Sequence, residues 1–129
     1  MPEQASSKSL VEKLGVGRGA RVSVLRAGDR SFVAELEARG ADVSSRARKE
    51  SHLIFAGAER LADLSRLRSL EPSIRRDGAI WVVFPKGRRE IREVDVIRAG
   101  IDAGLVDNKV VRFSETHTAL RFVVPRARR

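Results

Sequence analysis

The chain has 129 residues, 42% of them hydrophobic and 33% charged, which suits one globular domain and is too short for two. No apolar run approaches the ~20 residues that span a bilayer, and the first residues lack the basic and then apolar order of a secretory signal. Cysteine is absent, which excludes disulfides and thiolate chemistry. We therefore expect a cytoplasmic protein with no membrane partner.

The charge of the chain is strongly basic. A net charge of +9 and a pI near 11.3 meet the first criterion for a nucleic-acid-binding protein. The excess is concentrated in residues 65–129, which hold 15 basic and 8 acidic side chains, against 11 and 9 in residues 1–64. All but five of the basic residues are arginines. A GC-rich genome explains that bias as well as a polyanionic partner does, so both explanations stay open.

The first half of the chain predicts two helices and three strands. Ser6 or Ser7 is expected to cap a short helix that stops at Gly15, and the glycine cluster GVGRGA then forms a turn before the strand at 21–25. Ser31 is expected to cap a second helix that stops at Gly40. A short edge strand follows at 41–44, and the apolar run at 53–56 is typical of a parallel strand buried on both faces.

The second half predicts helix, strand, helix and hairpin. Leucines at 61, 64, 67 and 70 predict a helix that Pro72 ends, and Asp77-Gly78 predicts a turn before the strand AIWVVF, which stops at Pro85. Three apolar side chains, Val94, Ile97 and Ile101, predict the buried face of the next helix. The segments KVVRF and ALRFVV flank a loop at 114–118 and predict an antiparallel hairpin.

These elements predict an α/β fold. Alternating strands and helices favour a Rossmann-like open, mostly parallel sheet of five to six strands, with flanking helices and a C-terminal antiparallel β-hairpin. The expected organisation is a flexible N-terminus (1–5), a single domain (6–125) and a solvated basic tail (126–129). Only residues 26–52 separate the strand at 21–25 from the apolar run at 53–56, which leaves room for one helix and one short strand but not for two βα units.

The pieces KLGVGRGARVSVLRA, GAIWVVFPKG, AGLVDNKV and SETHTALRF support a resemblance over nearly the whole chain. The chain resembles a small bacterial family of unknown function. Members of that family are similar to trimmed class I S-adenosylmethionine-dependent methyltransferase domains. The resemblance implies a methyltransferase-like scaffold and brings no catalytic residues with it.

Two features of the methyltransferase cofactor site are missing from this sequence. The resemblance implies a GxGxG-type loop after the first strand, where this chain has VLRAGDRS with the lone Gly28. It also implies an acidic residue at the end of the second strand to hold the ribose hydroxyls, as in dinucleotide folds. Ser44, Ser45 and Arg46 occupy that place. We therefore expect no cofactor, with S-adenosylmethionine the disfavoured possibility.

The predicted ligand site is the carboxyl edge of the sheet, where open parallel sheets bind their ligands. Three loops, 26–30, 57–60 and 85–89, are expected to meet there with the positive ends of helices. Arginine forks suit phosphates and carboxylates, whereas solvated loop charges are the competing interpretation. The expected anion-binding residues are Arg26, Gly28, Arg30, Arg60, Lys86, Arg88 and Arg89.

Catalytic and metal sites have no recognisable pattern in this sequence. His52 starts a strand and His117 lies in the hairpin loop beside Glu115, so neither has metal-ligand spacing or a nucleophile motif. Trp81 and the five phenylalanines lie in helix or strand patterns and are expected in the core. Without exposed aromatic side chains, nucleic-acid binding would be electrostatic only.

Three functions are compatible with this sequence. The leading hypothesis is a non-catalytic binding or regulatory domain, with an anionic ligand at the basic edge. A divergent methyltransferase is the alternative, and if the chain is an enzyme we expect that activity. A self-associating structural subunit, which would pair through an exposed strand edge, is the third. The oligomeric state and the ligand are left open.

Overall fold

A six-stranded sheet forms the centre of the computed structural model, which describes residues 8–129. Its strand order is β2-β1-β3-β4-β6-β5, and β6 runs antiparallel to both of its neighbours. The strands are β1 (Arg21–Leu25), β2 (Asp42–Ser44), β3 (Ser51–Gly57), β4 (Ile74–Pro85), β5 (Val106–Arg112) and β6 (His117–Val123). The predicted mostly parallel sheet with a C-terminal antiparallel hairpin is confirmed.

Helices cover both faces of this sheet. The α-helices are α1 (Leu10–Lys13), α2 (Arg30–Ala38), α3 (Leu67–Leu70) and α4 (Glu93–Asp102). Three 3₁₀ segments, Leu61–Arg66, Glu71–Ser73 and Arg126–Arg128, complete the helical structure that the model describes. Between β1 and β3 the chain forms one helix and one strand, as the short spacing predicts.

The first face of the sheet is covered by α1 and α2. Trp81 is fully buried on this face, and its indole N–H donates to the Leu14 carbonyl at 3.1 Å, which fixes α1 to β4. Phe32 of α2 contacts the ring of Phe55 edge-to-face at 5.2 Å and that of Phe113 at 4.9 Å. Aromatic pairs of this geometry add to the stabilisation that burial provides.

The second face of the sheet is covered by α3, α4 and the adjoining 3₁₀ turns. Ile54, Ile80 and Leu120 are fully buried there. Gly100 of α4 lies directly on Phe122, since a Cβ built on the glycine would be 2.0 Å from the ring. The two faces therefore hold separate apolar clusters, as expected for helices on both sides of a sheet.

Two helix caps differ from the prediction. Ser6 and Ser7 lie outside the described residues, and α1 is capped by Ser9, whose side chain accepts from the Glu12 N–H at 3.2 Å. Asp29, rather than Ser31, caps α2 by accepting from the Phe32 N–H at 3.0 Å. An aspartate directly before the first helical turn is as good a cap as serine, so the helix begins at Arg30, two residues earlier than the Ser31 cap implies.

The predicted turn at Asp77-Gly78 is wrong, because β4 runs unbroken through it. A Cβ on Gly78 would lie 2.7 Å from the His52 carbonyl oxygen and 3.0 Å from that of Ser51. The glycine therefore allows β3 to approach closely, at the point where the pairing of the two strands shifts register.

The leucine segment is mostly 3₁₀ rather than one α-helix. Residues spaced by three fall on one side of a 3₁₀ helix, which has three residues per turn, and Leu64, Leu67 and Leu70 are buried while Leu61 is 54% exposed. Pro72 lies inside the last 3₁₀ turn, Glu71–Ser73, and β4 begins directly after that turn at Ile74.

The predicted buried face of α4 is also wrong. Val94 is 48% and Ile101 59% exposed, whereas Val96 and Gly100 are buried against the sheet. Only Ile97 of the predicted three side chains packs against the core. Helix α4 is rotated about its own axis relative to the prediction, because glycine at position 100 allows close contact with Phe122.

The basic tail is not simply solvated. Arg128 donates to the Gly104 carbonyl, and its guanidinium lies 3.2 Å from the Glu71 carboxylate. Arg129 donates to the Val124 carbonyl at 2.9 Å. The tail therefore folds back over the end of α4.

Candidate functional site

The loop between β1 and α2 shapes the carboxyl edge of the sheet. Arg26 and Gly28 both have positive φ, 59° and 71°, so two residues of this three-residue stretch adopt the left-handed conformation. A Cβ on Gly28 would lie 2.7 Å from the Phe32 ring, and one on Gly57 would lie 1.9 Å from the Arg26 carbonyl oxygen. Both glycines serve close packing between the loop, α2 and β3.

A cleft of about 430 Å³ opens beside this loop, on the face that carries α1 and α2. We call it the central cleft. Its apolar wall includes Phe32 and Phe113. The polar side chains around it are Arg26, Asp29, Ser31, Glu35, Glu59, Ser114 and His117. Its volume lies in the range of small-molecule sites.

One side of the central cleft is a hydrogen-bonded network. His117 Nε2 lies 2.9 Å from Glu59 Oε2, and its Nδ1 lies 2.8 Å from the Thr116 hydroxyl. The Ser114 hydroxyl oxygen accepts from the N–H groups of Thr116 and His117, at 3.2 and 3.1 Å. The network fixes the imidazole in place and joins the β5–β6 loop to the loop after β3.

Charges of both signs surround the central cleft. Arg26 is accompanied there by three carboxylates, of which Asp29 is engaged in capping α2 and Glu59 in binding His117. This part of the carboxyl edge is therefore not the uniformly basic surface that the arginine count suggests.

A second cleft, of about 340 Å³, lies on the other face of the sheet at the same edge. We call it the basic cleft. It is formed by the β4–α4 loop, where Gly87 has a φ of 75° and reverses the chain, and by Thr118 of β6. Its charged lining consists of Lys86, Arg88, Arg89, Arg92 and the carboxylate Glu93. Within residues 8–129 no carboxylate oxygen, that of Glu93 included, lies within 4 Å of a side-chain nitrogen of Lys86, Arg88 or Arg89.

A fourth cation beside the basic cleft is already paired. The Arg92 N–H donates to Asp95 Oδ2 at 2.9 Å, and the Arg92 guanidinium lies 3.3 Å from the same oxygen. The hydrogen bond from the Arg92 backbone, followed by that from its side chain, lowers the pKa of Asp95. Asp95 therefore stays ionised at neutral pH and holds Arg92 at the start of α4.

The structure divides the seven predicted site residues among separate places. Arg26 and Gly28 line the central cleft, whereas Lys86, Arg88 and Arg89 line the basic cleft. Arg30 borders a shallow depression beside α2 that also contains Glu37. Arg60 borders none of these, and its backbone N–H donates to Asp63.

Two residues of the central cleft, Glu59 and His117, were not predicted as a pair. They are 58 positions apart in the chain, and the sequence pattern places His117 beside Glu115 instead. Only the pairing of β4 with β6, which sets Pro85 opposite His117, brings the hairpin loop to the loop after β3.

The residues at the cofactor position do not fit S-adenosylmethionine by the contacts that the resemblance implies. At the end of β2, the Ser44 hydroxyl oxygen accepts from the Arg46 N–H at 3.0 Å. The nearest carboxylate, Asp42, is bound to Arg48 at 3.2 Å. No acidic side chain in the described chain is therefore free at the end of β2 for ribose hydroxyls.

Residues 8–129 contain neither a metal-binding cluster nor a membrane-spanning helix. No group of three or more histidine, cysteine, aspartate or glutamate side chains is arranged to hold a metal ion. No helix in the same residues has the length and apolar character needed to cross a membrane.

Comparison with known proteins shows the fold. The chain superposes on a TehB-like S-adenosylmethionine-dependent methyltransferase from Corynebacterium glutamicum with a TM-score of 0.67 and 13% identity, covering 94% of this chain and 91% of that one. A methyltransferase from Aquifex aeolicus gives a TM-score of 0.68 and 14% identity, covering 96% and 94%. The chain therefore has the fold of class I S-adenosylmethionine-dependent methyltransferases.

A third similar structure carries ligands. The 1,6-didemethyltoxoflavin-N1-methyltransferase of Burkholderia thailandensis, with bound 1,6-didemethyltoxoflavin and S-adenosylhomocysteine, matches with a TM-score of 0.63 and 12% identity, covering 88% of this chain and 73% of that one. No protein-family model matches the chain, and no curated protein matches it. At these identities the likeness shows the fold alone.

Proposed function

We propose that the chain is a non-catalytic small-molecule-binding domain on a methyltransferase-type scaffold, and that it binds an anionic ligand in the basic cleft. The observation that carries this proposal is the set of three cations around that cleft, Lys86, Arg88 and Arg89, without a described carboxylate within 4 Å. A cation that has no protein counter-ion is free to bind an anion from solution.

The position of the basic cleft supports the same proposal. It lies beyond the carboxyl end of β4, where ligands of open α/β sheets bind. The N-terminus of α4, a helix of ten residues, lies beside the basic cleft, and the helix dipole favours negative charge at that end. The Thr118 side chain adds a hydroxyl that can donate to a phosphate or carboxylate oxygen.

A small anion suits this cleft better than a nucleic acid. Trp81 and four of the five phenylalanines are buried, and Phe113 lies half-buried against Phe32. The described surface therefore offers no aromatic platform on which bases could stack. Nucleic-acid binding through these cations would depend on phosphates alone and would fall steeply with salt.

Titration calorimetry with pyrophosphate and citrate at constant ionic strength tests the proposal. We expect one of these anions to bind with a dissociation constant on the order of 1 mM. The double variant Arg88→Ala/Arg89→Ala should weaken binding by at least about tenfold. The matched control Arg46→Ala/Arg126→Ala removes the same charge from exposed positions outside the cleft and should bind as the unmodified chain does. If both double variants weaken anion binding equally, net charge alone explains the binding and the site is refuted.

A divergent methyltransferase is the second candidate. It is supported by the shared fold and by the central cleft, which opens where β1, β3 and β4 end. The absence of a free carboxylate at the end of β2 weighs against it. Calorimetry with S-adenosylmethionine and S-adenosylhomocysteine decides this, because a ligand that binds the native state must release or absorb heat or raise the thermal midpoint. If millimolar ligand gives neither heat nor a higher thermal midpoint, the methyltransferase candidate is excluded.

Self-association through strand edges is the weakest of the three. Strand β2 has only three residues, and β5 carries a register shift between Asp107 and Lys109. Short edges, bulges and charged side chains are the features by which proteins avoid pairing edge to edge.

A further inference from the structure

The amino edge of the sheet, opposite the two clefts described above, carries a third cleft of about 330 Å³. We call it the amino-edge cleft. It lies between the glycine-rich turn before β1 and the amino ends of β3 and β4. The residues that matter for its chemistry are Gly17, Arg18, His52, Asp77 and Arg121.

Arg121 is the unusual charge in this cleft. It is half-buried on β6, opposite Trp81, and its guanidinium donates to Asn108 at 3.3 Å. Across residues 8–129 no carboxylate lies within 4 Å of it. Burial lowers the pKa of Arg121, and the nearby charge of Arg129 lowers it further. The cation is thus held in a place that disfavours positive charge, and a bound anion would relieve that cost.

His52 provides a hydrogen-bond donor to the same cleft. Its Nδ1 accepts from the Arg21 N–H at 2.9 Å, so the neutral imidazole carries its proton on Nε2. No described protein atom accepts from this Nε2. The imidazole is therefore oriented by the backbone and has one N–H left for a ligand.

The glycine-rich turn leaves the mouth of the cleft open. Nothing lies within 4 Å of a Cβ built on Gly15, Gly17 or Gly19. The N–H groups of Gly17 and Arg18 donate to no acceptor in the described part of the chain. A turn that precedes a strand cannot use a helix dipole, but it can offer consecutive backbone donors to an anion.

One carboxylate also borders the cleft. Asp77 lies 3.2 Å from Arg75, and that hydrogen bond lowers the pKa of Asp77, so the carboxylate is ionised and paired. With Asp77 balanced by Arg75, the charges of Arg18 and Arg121 are left to attract an anion.

We propose that the amino-edge cleft binds a phosphate group, held by the Arg121 guanidinium, the His52 Nε2–H and Arg18. The ligand is inorganic phosphate or the phosphate of a small monoester. This site lies at the other end of the sheet from the basic cleft and does not depend on it.

Proton NMR of the histidine rings tests the proposal, because the chain has two histidines, at opposite edges of the sheet. Inorganic phosphate titrated against chloride at equal ionic strength should shift the His52 ring resonances to saturation, and in Arg88→Ala/Arg89→Ala it should do so without moving those of His117, which lies beside Thr118 of the basic cleft. A second titration uses ribose 5-phosphate. The probe with the lower dissociation constant shows whether the site prefers free phosphate or a phosphate monoester. Absence of any saturable His52 shift with either probe would refute the site.

Variants identify the residues responsible. Arg121→Met keeps the aliphatic stem and should raise the dissociation constant for phosphate at least about tenfold. Arg112→Met, on the neighbouring strand, is the matched control and should leave it unchanged. Arg18→Gln, on the exposed turn, provides an independent variant if Arg121→Met does not fold. Arg88→Ala/Arg89→Ala should keep the His52 shift, so loss of the basic cleft and loss of this site are distinguishable. An undiminished shift in Arg121→Met and Arg18→Gln would overturn the proposal.

Discussion

The imidazole of His117 lies 2.9 Å from the carboxylate of Glu59, and this contact joins the last hairpin to the loop after β3. The side chains are 27% and 55% exposed, so water screens their attraction. The pair therefore orients the wall of the central cleft more than it stabilises the fold.

A double-mutant cycle with Glu59→Ala and His117→Ala measures this contact. We expect a coupling free energy of about 0.3–1 kcal/mol that falls as salt is raised. The same cycle with Glu115→Ala and His117→Ala should give no coupling, because the two side chains have no described contact. Urea unfolding of the single and double variants supplies the numbers. A larger coupling to Glu115 than to Glu59 would contradict the structure.

Gly100 is expected to resist substitution although it lies inside a helix. Alanine normally improves a helix interior by about 1 kcal/mol over glycine. Here the new Cβ would lie 2.0 Å from the Phe122 ring, and overpacking of this kind costs about 1–3 kcal/mol. Thermal unfolding should show that Gly100→Ala is less stable than the unmodified chain.

Gly17→Ala is the control for that experiment. Its Cβ would meet nothing within 4 Å, and Gly17 does not have positive φ. The substitution should be neutral or stabilise by up to about 1 kcal/mol. Equal effects at positions 17 and 100 would mean that α4 does not pack on Phe122 as described.

Two buried serines close a ring of hydrogen bonds with one arginine backbone. The Ser51 hydroxyl donates to the Arg48 carbonyl at 2.5 Å, and the Arg48 N–H donates to Ser23 Oγ at 3.2 Å. The two hydroxyl oxygens are 3.1 Å apart. Since Ser51 donates its proton to Arg48, the Ser23 hydroxyl must donate to Ser51.

Breaking this ring at one point leaves buried polar groups without partners. We expect Ser23→Ala and Ser51→Ala each to lower the free energy of unfolding by about 1–3 kcal/mol, and the double variant to lose less than their sum. Urea unfolding curves measure all three. Additive losses would show that the two hydroxyls act independently.

The sequence predicts the strands of this protein better than its helices. Residues 53–56 of β3 and 79–84 of β4 are uninterrupted apolar runs, and exposing them to water would be unfavourable, so their burial follows from composition alone. The Asp77-Gly78 pair misleads because the glycine is required by the carbonyl oxygens of a neighbouring strand and not by a turn. That requirement depends on β3 lying beside β4, which is not a local property of the sequence.

The candidate site was predictable only in part. The rule that ligands bind at the carboxyl edge locates the loops, but it does not say on which face of the sheet each loop opens. That choice separates Arg26 from Lys86, since the first lines a cleft under α2 and the second a cleft beside α4. Arg121 was not a candidate, because a single arginine within a strand shows its burial only when the fold is known.

The cap of α2 tests a point where sequence and structure disagree. Asp29→Ala should lower the free energy of unfolding by about 1 kcal/mol, because the Phe32 N–H loses its acceptor. Ser31→Ala should change it by less than about 0.5 kcal/mol, since its side chain caps nothing in the structure. Urea unfolding distinguishes the two. A larger loss at Ser31 would restore the cap that the sequence favours.

Acid should weaken the 3₁₀ turn after β3 through Asp63. Its carboxylate accepts from the N–H groups of Glu59 and Arg60, at 2.9 and 3.1 Å, and the bond from Glu59 is the larger cause that lowers the pKa of Asp63. A lowered pKa in the folded state means that the ionised carboxylate stabilises the fold. This stabilisation is complete above the unfolded-state pKa of about 4 and is lost as the pH falls through the folded value.

Asp63→Ala should therefore be less stable than the unmodified chain at pH 7, and the difference in urea midpoint should shrink as the pH is lowered below about 4. Asp107→Ala, at an exposed position without a described side-chain bond, should show no such convergence. A difference at Asp63 that stays constant with pH would mean that the charge of the carboxylate contributes nothing to the turn.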